Sequence, residues 1–340
     1  MNIWENKKKT LLGSLKAITM VVRDLDSVVH AYADVLGIGP WKVYKFNKGK
    51  CKMLFPDRKT VSRNFILASC TRPEVELRLI QPAEGTEDVF SQFLVSHGNG
   101  IHHIAFAQNS KGINKAVEIF NKLGDSALCK IILEGEEFLL MNAMRSMGYN
   151  ILLEDENISF DVPAVTFPSD GLFSDSGLIK RIRQVCCGID EIQSRIQHCA
   201  DNLGMTPWVC VHLTEECLTN IETGSTDPGN DFDCGLYDGF PVQIEYTAPR
   251  VGGNFHSDYL AKHGVQLHHI AVETDNYRKI VSRMTEIGEK LLCANYVDST
   301  EISVFIDTRK TLGCFLQVCE KCSGKGGKIT EVTTYPPENS

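Results

Sequence analysis

The chain has 340 residues, 43% of them hydrophobic and 23% charged, with a formal net charge of -8 and a sequence pI near 5.7. That composition is globular, and the length is enough for two domains with a core in each. The acidic balance leaves no broad basic face for phosphate, which argues against nucleic acid or an anionic membrane as partner, and no apolar run approaches the roughly 18 to 20 residues that span a bilayer.

The opening MNIWENKKKTLLGS carries basic residues without an apolar segment behind them, so no signal peptide is expected. Residues 17–22, AITMVV, read as a strand. Residues 26–36 then place Val28, Val29, Tyr32, Val35 and Leu36 at helical spacing, and Gly37 closes that helix. Strand-like runs follow at 41–46, 65–69 and 75–80. After His103 the order returns, with the strand HIAFA, a helix over 113–123 closed by Gly124, and strands near 130–133, 138–141 and 150–153. The chain's 13 cysteines are odd in number and scattered, and Cys186, Cys187 and Cys314 fall inside strand-like runs. This predicts buried thiols in a reducing compartment, the cytoplasm, with no disulfide framework. Cys319 and Cys322 form a lone CxxC at the end of a strand-like run and read as structural.

The second half repeats the first. HGNGIHHIA begins at His97, and HGVQLHHIA begins at His263, 166 residues later. LGIGPW ends at Trp41 and LGMTPW at Trp208, while VELRLIQP ends at Pro82 and VQIEYTAP at Pro249, both offsets being 167. GYNILLE and GCFLQVC start at Gly148 and Gly313, 165 apart. Such a period marks a duplication. The predicted organisation is a first domain over 1–154, a linker rich in Ser, Asp and Pro over 155–180, a second domain over 181–322 and a tail over 323–340. The fold class is α+β, with four strand–helix–strand–strand–strand (βαβββ) modules paired into two domains.

This module order, the HHIA openings, VVRDLDSVVHAYADVLGIGPW and VELRLIQP together resemble the vicinal oxygen chelate superfamily, over about residues 15–320. That superfamily includes glyoxalase I, methylmalonyl-CoA epimerase, extradiol dioxygenases and bleomycin-resistance proteins. The resemblance implies paired modules curled into two cups. It also implies a divalent metal ion (Mn, Co, Ni, Fe or Zn) held by the first and last strands of each module. Strand side chains alternate between faces. Adjacent histidines thus cannot both enter one cup, and the resemblance implies that His103 and His269 point inward, with His102 and His268 on the helix side or at the module contact as structural groups.

Carried over position by position, the first cup offers Ala17, Glu76, His103 and Leu152, of which only two can ligate. The second offers Gln184, Gln243, His269 and Gln317, and Glu245 shares the face of Gln243. The second cup is thus the better place for a metal, the competing reading being that both cups have lost theirs. Its four positions carry no charge, so Glu245 would supply the compensating one. Ring cleavage by iron wants two histidines and a carboxylate around open positions, and neither cup offers that set.

What the resemblance implies about chemistry is removal of a proton beside a carbonyl, in an isomerase or epimerase with an enediolate-like intermediate. Glu245 is the expected base in the second cup. Glu76 and His103 are the acid–base candidates in the first, with Arg78 binding an anion or pairing with Glu76. Trp41 and Trp208 either wall a substrate pocket or belong to the core. The alternatives are a glyoxalase-like lyase acting on a thiol adduct and a non-catalytic binder of an apolar compound. The expected partner is a small-molecule carbonyl substrate, with no basic cluster for a CoA ester. A homodimer is left open.

Overall fold

The computed structural model describes residues 10–85, 87–158, 160, 162–168, 177–226 and 229–337. The first copy runs β1 (Ser14–Val21), α1 (Leu25–His30) continued by a π-helical turn (Ala31–Val35), β2 (Trp41–Phe46), β3 (Cys51–Leu54), β4 (Thr60–Ser62), β5 (Phe65–Thr71) and β6 (Glu76–Pro82). It continues with α2 (Val89–His97), β7 (Gly100–Gln108), α3 (Ser110–Lys122), β8 (Ser126–Leu133), β9 (Glu136–Asn142), β10 (Asn150–Asp155) and β11 (Val165–Phe167). The second copy runs β12 (Arg181–Gly188), α4 (Ile192–Leu203), β13 (Trp208–Leu213), β14 (Leu218–Asn220), β15 (Phe232–Tyr237) and β16 (Gln243–Pro249). Then come α5 (Phe255–His263), β17 (Gln266–Glu273), α6 (Tyr277–Glu286), β18 (Lys290–Val297), β19 (Glu301–Asp307), β20 (Phe315–Lys321) and β21 (Val332–Tyr335).

Each copy makes one curled sheet. The strand orders are β11-β2-β5-β6-β1-β7-β10-β9-β8-β3-β4 and β14-β18-β19-β20-β17-β12-β16-β15-β13-β21. In both, two modules meet along their first strands. β1 lies parallel to β6 and antiparallel to β7, and β7 lies parallel to β10. β12, β16, β17 and β20 repeat that seam. The four βαβββ modules and two cups are therefore present. Two features go beyond the sequence reading. The β3–β4 hairpin leaves its own module to pair with β8. The segments read as linker and tail each contribute a strand, β11 on β2 and β21 on β13, which covers backbone groups that would otherwise form an open edge.

The repeated HG is a helix stop. α2 and α5 both start with a capping box, Asp88 with Ser91 and Asn254 with Ser257. Each ends on a histidine followed by Gly98 (φ 77°, ψ -157°) or Gly264 (φ 73°, ψ -170°). That region of backbone space is open to glycine alone. The sharp exit sends the chain straight into β7 or β17, which carry the histidine pairs.

One apolar core spans both copies on the helix-backed side of the sheets. Trp41, Trp208, Tyr32 and Tyr246 are all fully buried in it. The copies hold each other reciprocally: Tyr32 Oη donates to the Leu312 carbonyl at 2.9 Å, and Tyr246 Oη donates to the Met147 carbonyl at 2.8 Å. All 13 cysteines are free thiols. Among the described residues, no helix is long and apolar enough to cross a membrane.

Nothing lies within 4 Å of a Cβ built on Gly98 or Gly264, so a side chain there meets only backbone strain. Gly98→Ala and Gly264→Ala should each lower stability by about 1–3 kcal/mol in urea unfolding. An unchanged midpoint would show that the exit turn is not constrained.

Candidate functional site

The histidine pairs sit on β-bulges. Thr19 pairs with His103 and Met20 with Ile101, which leaves His102 as an extra residue. Likewise Cys186 pairs with His269 and Cys187 with Leu267, which leaves His268 extra. A bulge suspends the alternation of faces. The two rings of each pair thus meet, with Nδ1 atoms 2.9 Å apart in the first copy and 2.8 Å apart in the second. His102 and His268 border neither cavity and pack under α2 and α5, against Phe93 and Tyr259. His102 lies beside its neighbour under α2, where Phe90 packs against both rings, at 5.1 Å from His102 and 6.3 Å from His103.

The first cup is filled. Ala17 and Leu152 face inward, together with Phe65, Phe90, Ile131 and Phe138. What remains is a cavity of about 30 Å³, bordered by His103 and Arg78 but not by Glu76. That is room for little more than a water. Arg78 is clamped. Its Nη1 donates to Glu154 Oε2 at 2.6 Å, and its Nη2 donates to Glu154 Oε1 and Glu76 Oε2, both at 2.9 Å. Burial opposes the guanidinium charge, but the two carboxylates outweigh it and raise the Arg78 pKa. Burial also opposes ionisation of Glu76, and Arg78 reverses this to hold its pKa low. Arg78 is thus an ion-pair residue, spent on Glu154 and Glu76. Burial pushes His102 down to about 3 and His103 well below the usual imidazole range, so both rings are neutral.

The second cup is open. A cavity of about 230 Å³ is lined by Gln184, Gln243, Glu245, His269 and Gln317, and also by His256. Register explains the gathering: Gln184 lies opposite Gln243, Cys186 lies opposite both Glu245 and His269, and Gln317 lies opposite Ala271. Gln243 Nε2 donates to Asp238 Oδ1 at 2.9 Å, and Gln317 Nε2 donates to Ser303 Oγ at 3.0 Å. Glu245 Oε2 is 3.4 Å from His269 Nε2, close enough for electrostatic attraction but not aligned as a hydrogen bond. Burial alone would raise the Glu245 pKa, but contacts with His269, Cys186 and Cys234 reverse that and lower it. The carboxylate is therefore ionised at neutral pH.

Two buried atoms here lack hydrogen-bond partners, His269 Nε2 and Gln317 Oε1. Both are lone-pair donors of the kind a divalent ion takes, and Glu245 beside them brings a negative charge. The donor set fits such an ion. Among the described residues, the only three His, Cys, Asp or Glu donors lying within 4.8 Å of one another are Cys186, His268 and His269. That deeper group is less suited, because its Nδ1 atoms are bound to each other and burial pushes the Cys186 thiol well up. Both sets share His269, which makes the second cup the candidate divalent-metal centre.

The two tryptophans lie elsewhere. Trp41 Nε1 donates to the Ile38 carbonyl at 2.8 Å, and Trp208 stacks on Tyr246 at 5.1 Å. Both belong to the core shared by the copies, and neither borders the cavity of either cup. Sequence reasoning missed Glu154, which completes the Arg78 clamp, and His256, which stands on α5 where Phe90 stands on α2.

Tandem cups of paired βαβββ modules, with donor side chains on the inner strands, define a class of small-molecule enzymes and binding proteins. The sequence pattern of the Glyoxalase/Bleomycin resistance protein/Dioxygenase superfamily matches residues 17–136 and 183–304, and the chain belongs to that superfamily, the vicinal oxygen chelate group. Among solved structures, a mutant of 4-hydroxymandelate synthase from Streptomyces coelicolor is similar at 13% identity, covering 92% of this chain and 94% of that one, with a TM-score of 0.55. The 2,3-dioxygenase LapB from Pseudomonas sp. KL28 is similar at 14% identity, covering 94% and 93%, with a TM-score of 0.47. At this distance the likeness extends to the fold. No curated protein matches the chain in sequence.

Arg78→Leu leaves two buried carboxylates facing each other and should cost about 3–5 kcal/mol in urea unfolding. A loss under about 1 kcal/mol would make the clamp a surface-like pair. The neutral histidines add a pH dependence. The His102 pKa falls from 6.5 to about 3 on folding, so its contribution is complete above 6.5 and is lost as pH falls toward 3. Each such imidazole steepens the loss by about 1.4 kcal/mol per pH unit. Unfolding free energy should therefore drop between about pH 7 and about pH 5. A flat profile would mean that water reaches these rings.

Proposed function

We propose that the second cup transfers a proton beside the carbonyl of a small organic substrate, as an isomerase or epimerase, and that the first cup serves as scaffold. The observation that carries this reading is the ionised Glu245, 3.4 Å from His269 in the wall of a cavity of about 230 Å³. A buried carboxylate beside an imidazole is equipped to accept a proton from carbon and to pass it on. Leu213, Phe232 and Phe305 give the cavity an apolar wall, and Asn230 and Asn295 give it polar anchors. His269 and Gln317, with Glu245, would hold a divalent ion, and such an ion supplies Lewis-acid polarisation of a carbonyl oxygen.

The resemblance to oxygenases lies in the fold, and two histidines with one carboxylate are not gathered into one group among the described residues. Ring cleavage is therefore not part of this reading. A glyoxalase-like lyase would use the same proton step on a thiol adduct. A binder would use the cavity without the step.

Exchange of solvent deuterium into small α-hydroxyketones and their glutathione adducts, followed by proton NMR, tests this reading. The parent should catalyse exchange, and Glu245→Gln should slow it by about 10²–10⁴-fold. Glu76→Gln, in the closed cup, should leave it within about twofold. Exchange confined to the adducts would favour the lyase. Tight retention of a carbonyl compound without exchange in the parent would make the second cup a binding site.

A further inference from the structure

β12 carries a bulge of its own, and it aims a cation into the open cup. Ile182 pairs with Val272 and Gln184 with Ala271, which leaves Arg183 as an extra residue. A bulge re-aims the side chain that it inserts. Arg183 and Gln184, neighbours that a regular strand would turn to opposite faces, therefore both line the cavity of about 230 Å³. Among the described residues, Arg183 is the only lysine or arginine in that wall.

The guanidinium is half engaged. Its Nη1 donates to Glu301 Oε2, at the start of β19. Among the described residues, its Nε and Nη2 donate to no protein group, and neither is sealed from solvent. Those two N–H groups form the fork that a carboxylate fills with two parallel hydrogen bonds. Elsewhere in this chain the same fork is taken. Arg250 donates from Nε and Nη2 to Asp233 at 2.8 and 2.9 Å, and Arg309 donates likewise to Asp307 at 2.8 and 2.6 Å. The other carboxylates of the cavity wall are engaged away from Arg183: Asp298 Oδ1 accepts from the Ile329 amide at 2.8 Å, and Glu245 faces His269.

The first copy shows the same bulge without an open cup. Leu15 pairs with Phe106 and Ala17 with Ala105, so Lys16 is the extra residue at the matching position. Its charge helps to hold the Glu76 pKa low, and it does not border the small cavity of that cup. An ammonium is a point charge with no fork. The open fork and the open volume occur together, in the second copy.

We propose that Arg183 anchors a carboxylate of the substrate, and that the second cup takes an oxo acid whose carboxylate stands away from the reacting carbonyl. Spacing sets the separation. Glu245 lies opposite Cys186, three residues beyond Arg183 on β12. That is about 10 Å of strand. A carboxylate on the carbonyl carbon itself would be drawn up against Glu245, anion against anion. About three or four carbons between the two groups put the carboxylate on the Nε–Nη2 fork and the carbonyl beside Glu245. Glu301 keeps Nη1, so no ion pair has to break. Arg183 selects and holds the substrate and takes no part in the proton transfer. The carbonyl in this assignment rests on the proposed reaction, whereas the carboxylate rests on the bulge and the fork.

Binding of 5-oxohexanoate and 6-oxoheptanoate to the full chain at neutral pH, set against their primary amides and followed by ligand line broadening in proton NMR, tests the anchor. Acid and amide match in length and differ in charge. The parent should bind the acids about 10- to 100-fold more tightly than the amides. Arg183→Gln should bring the two within about twofold, and Arg183→Lys, which keeps the charge without the fork, should retain part of the preference. Equal binding of acid and amide by the parent, or binding of neither, would overturn the anchor, and that result requires no variant to fold. So would an acid preference that survives in Arg183→Gln, since the carboxylate would then be held elsewhere. Deuterium exchange beside the carbonyl is a separate readout. An acid preference without exchange keeps the anchor and removes the proton transfer, and exchange into α-hydroxyketones without an acid preference does the reverse.

Discussion

A charge taken out of water has to be matched by another, and this requirement separates the two cups. At one inward position of the sheet the first copy carries Arg78 and the second carries Glu245. The guanidinium draws in two carboxylates, Glu154 from β10 and Glu76 from its own strand, and the three close over the base of the cup. In the second copy Cys319 stands where Glu154 stands, and the carboxylate turns to His269 instead. A carboxylate beside one imidazole leaves a buried ring nitrogen without a hydrogen-bond partner.

The filling of the cups follows from the same difference. Around the satisfied clamp, phenylalanines from β5, α2 and β9 close the space, and the inward ligand positions hold Ala17 and Leu152. Around the unsatisfied pair, the corresponding positions hold Gln184 and Gln317, whose polar ends keep apolar side chains from meeting across the space. Polarity and open volume therefore travel together in this duplication, and so do apolar lining and closure.

Much of this arrangement was legible in the sequence because the signals are periodic and written twice. The offset of Trp41 to Trp208 and of Pro82 to Pro249 gave the duplication, the family resemblance gave Ala17, Leu152, Gln184, Gln243 and Gln317 as inward positions, and strand alternation added Glu245 beside Gln243. The rest was hidden for physical reasons. A bulge adds one residue without altering the local pattern, so HHIA reads as regular strand while the two Nδ1 atoms of each pair come into contact. Glu154 lies 76 residues from Arg78, and nothing local couples them. His256 lies in α5, between the two landmarks used to detect the repeat, and only superposing the copies sets it against Phe90. β11 is a three-residue strand in a segment rich in Ser, Asp and Pro, where local composition outweighs the vacancy on β2 that the segment fills.

The reciprocal tyrosine bonds have a further consequence. Tyr246, adjacent in sequence to Glu245, is anchored on the Met147 carbonyl of the first copy, and Tyr32 is anchored on the Leu312 carbonyl of the second. Neither half is a spare of the other. The first copy fills its cup and yet cannot change its shape freely, because the second copy hangs on its backbone. A substitution around Met147 would then be felt beside Glu245, in the other half of the chain.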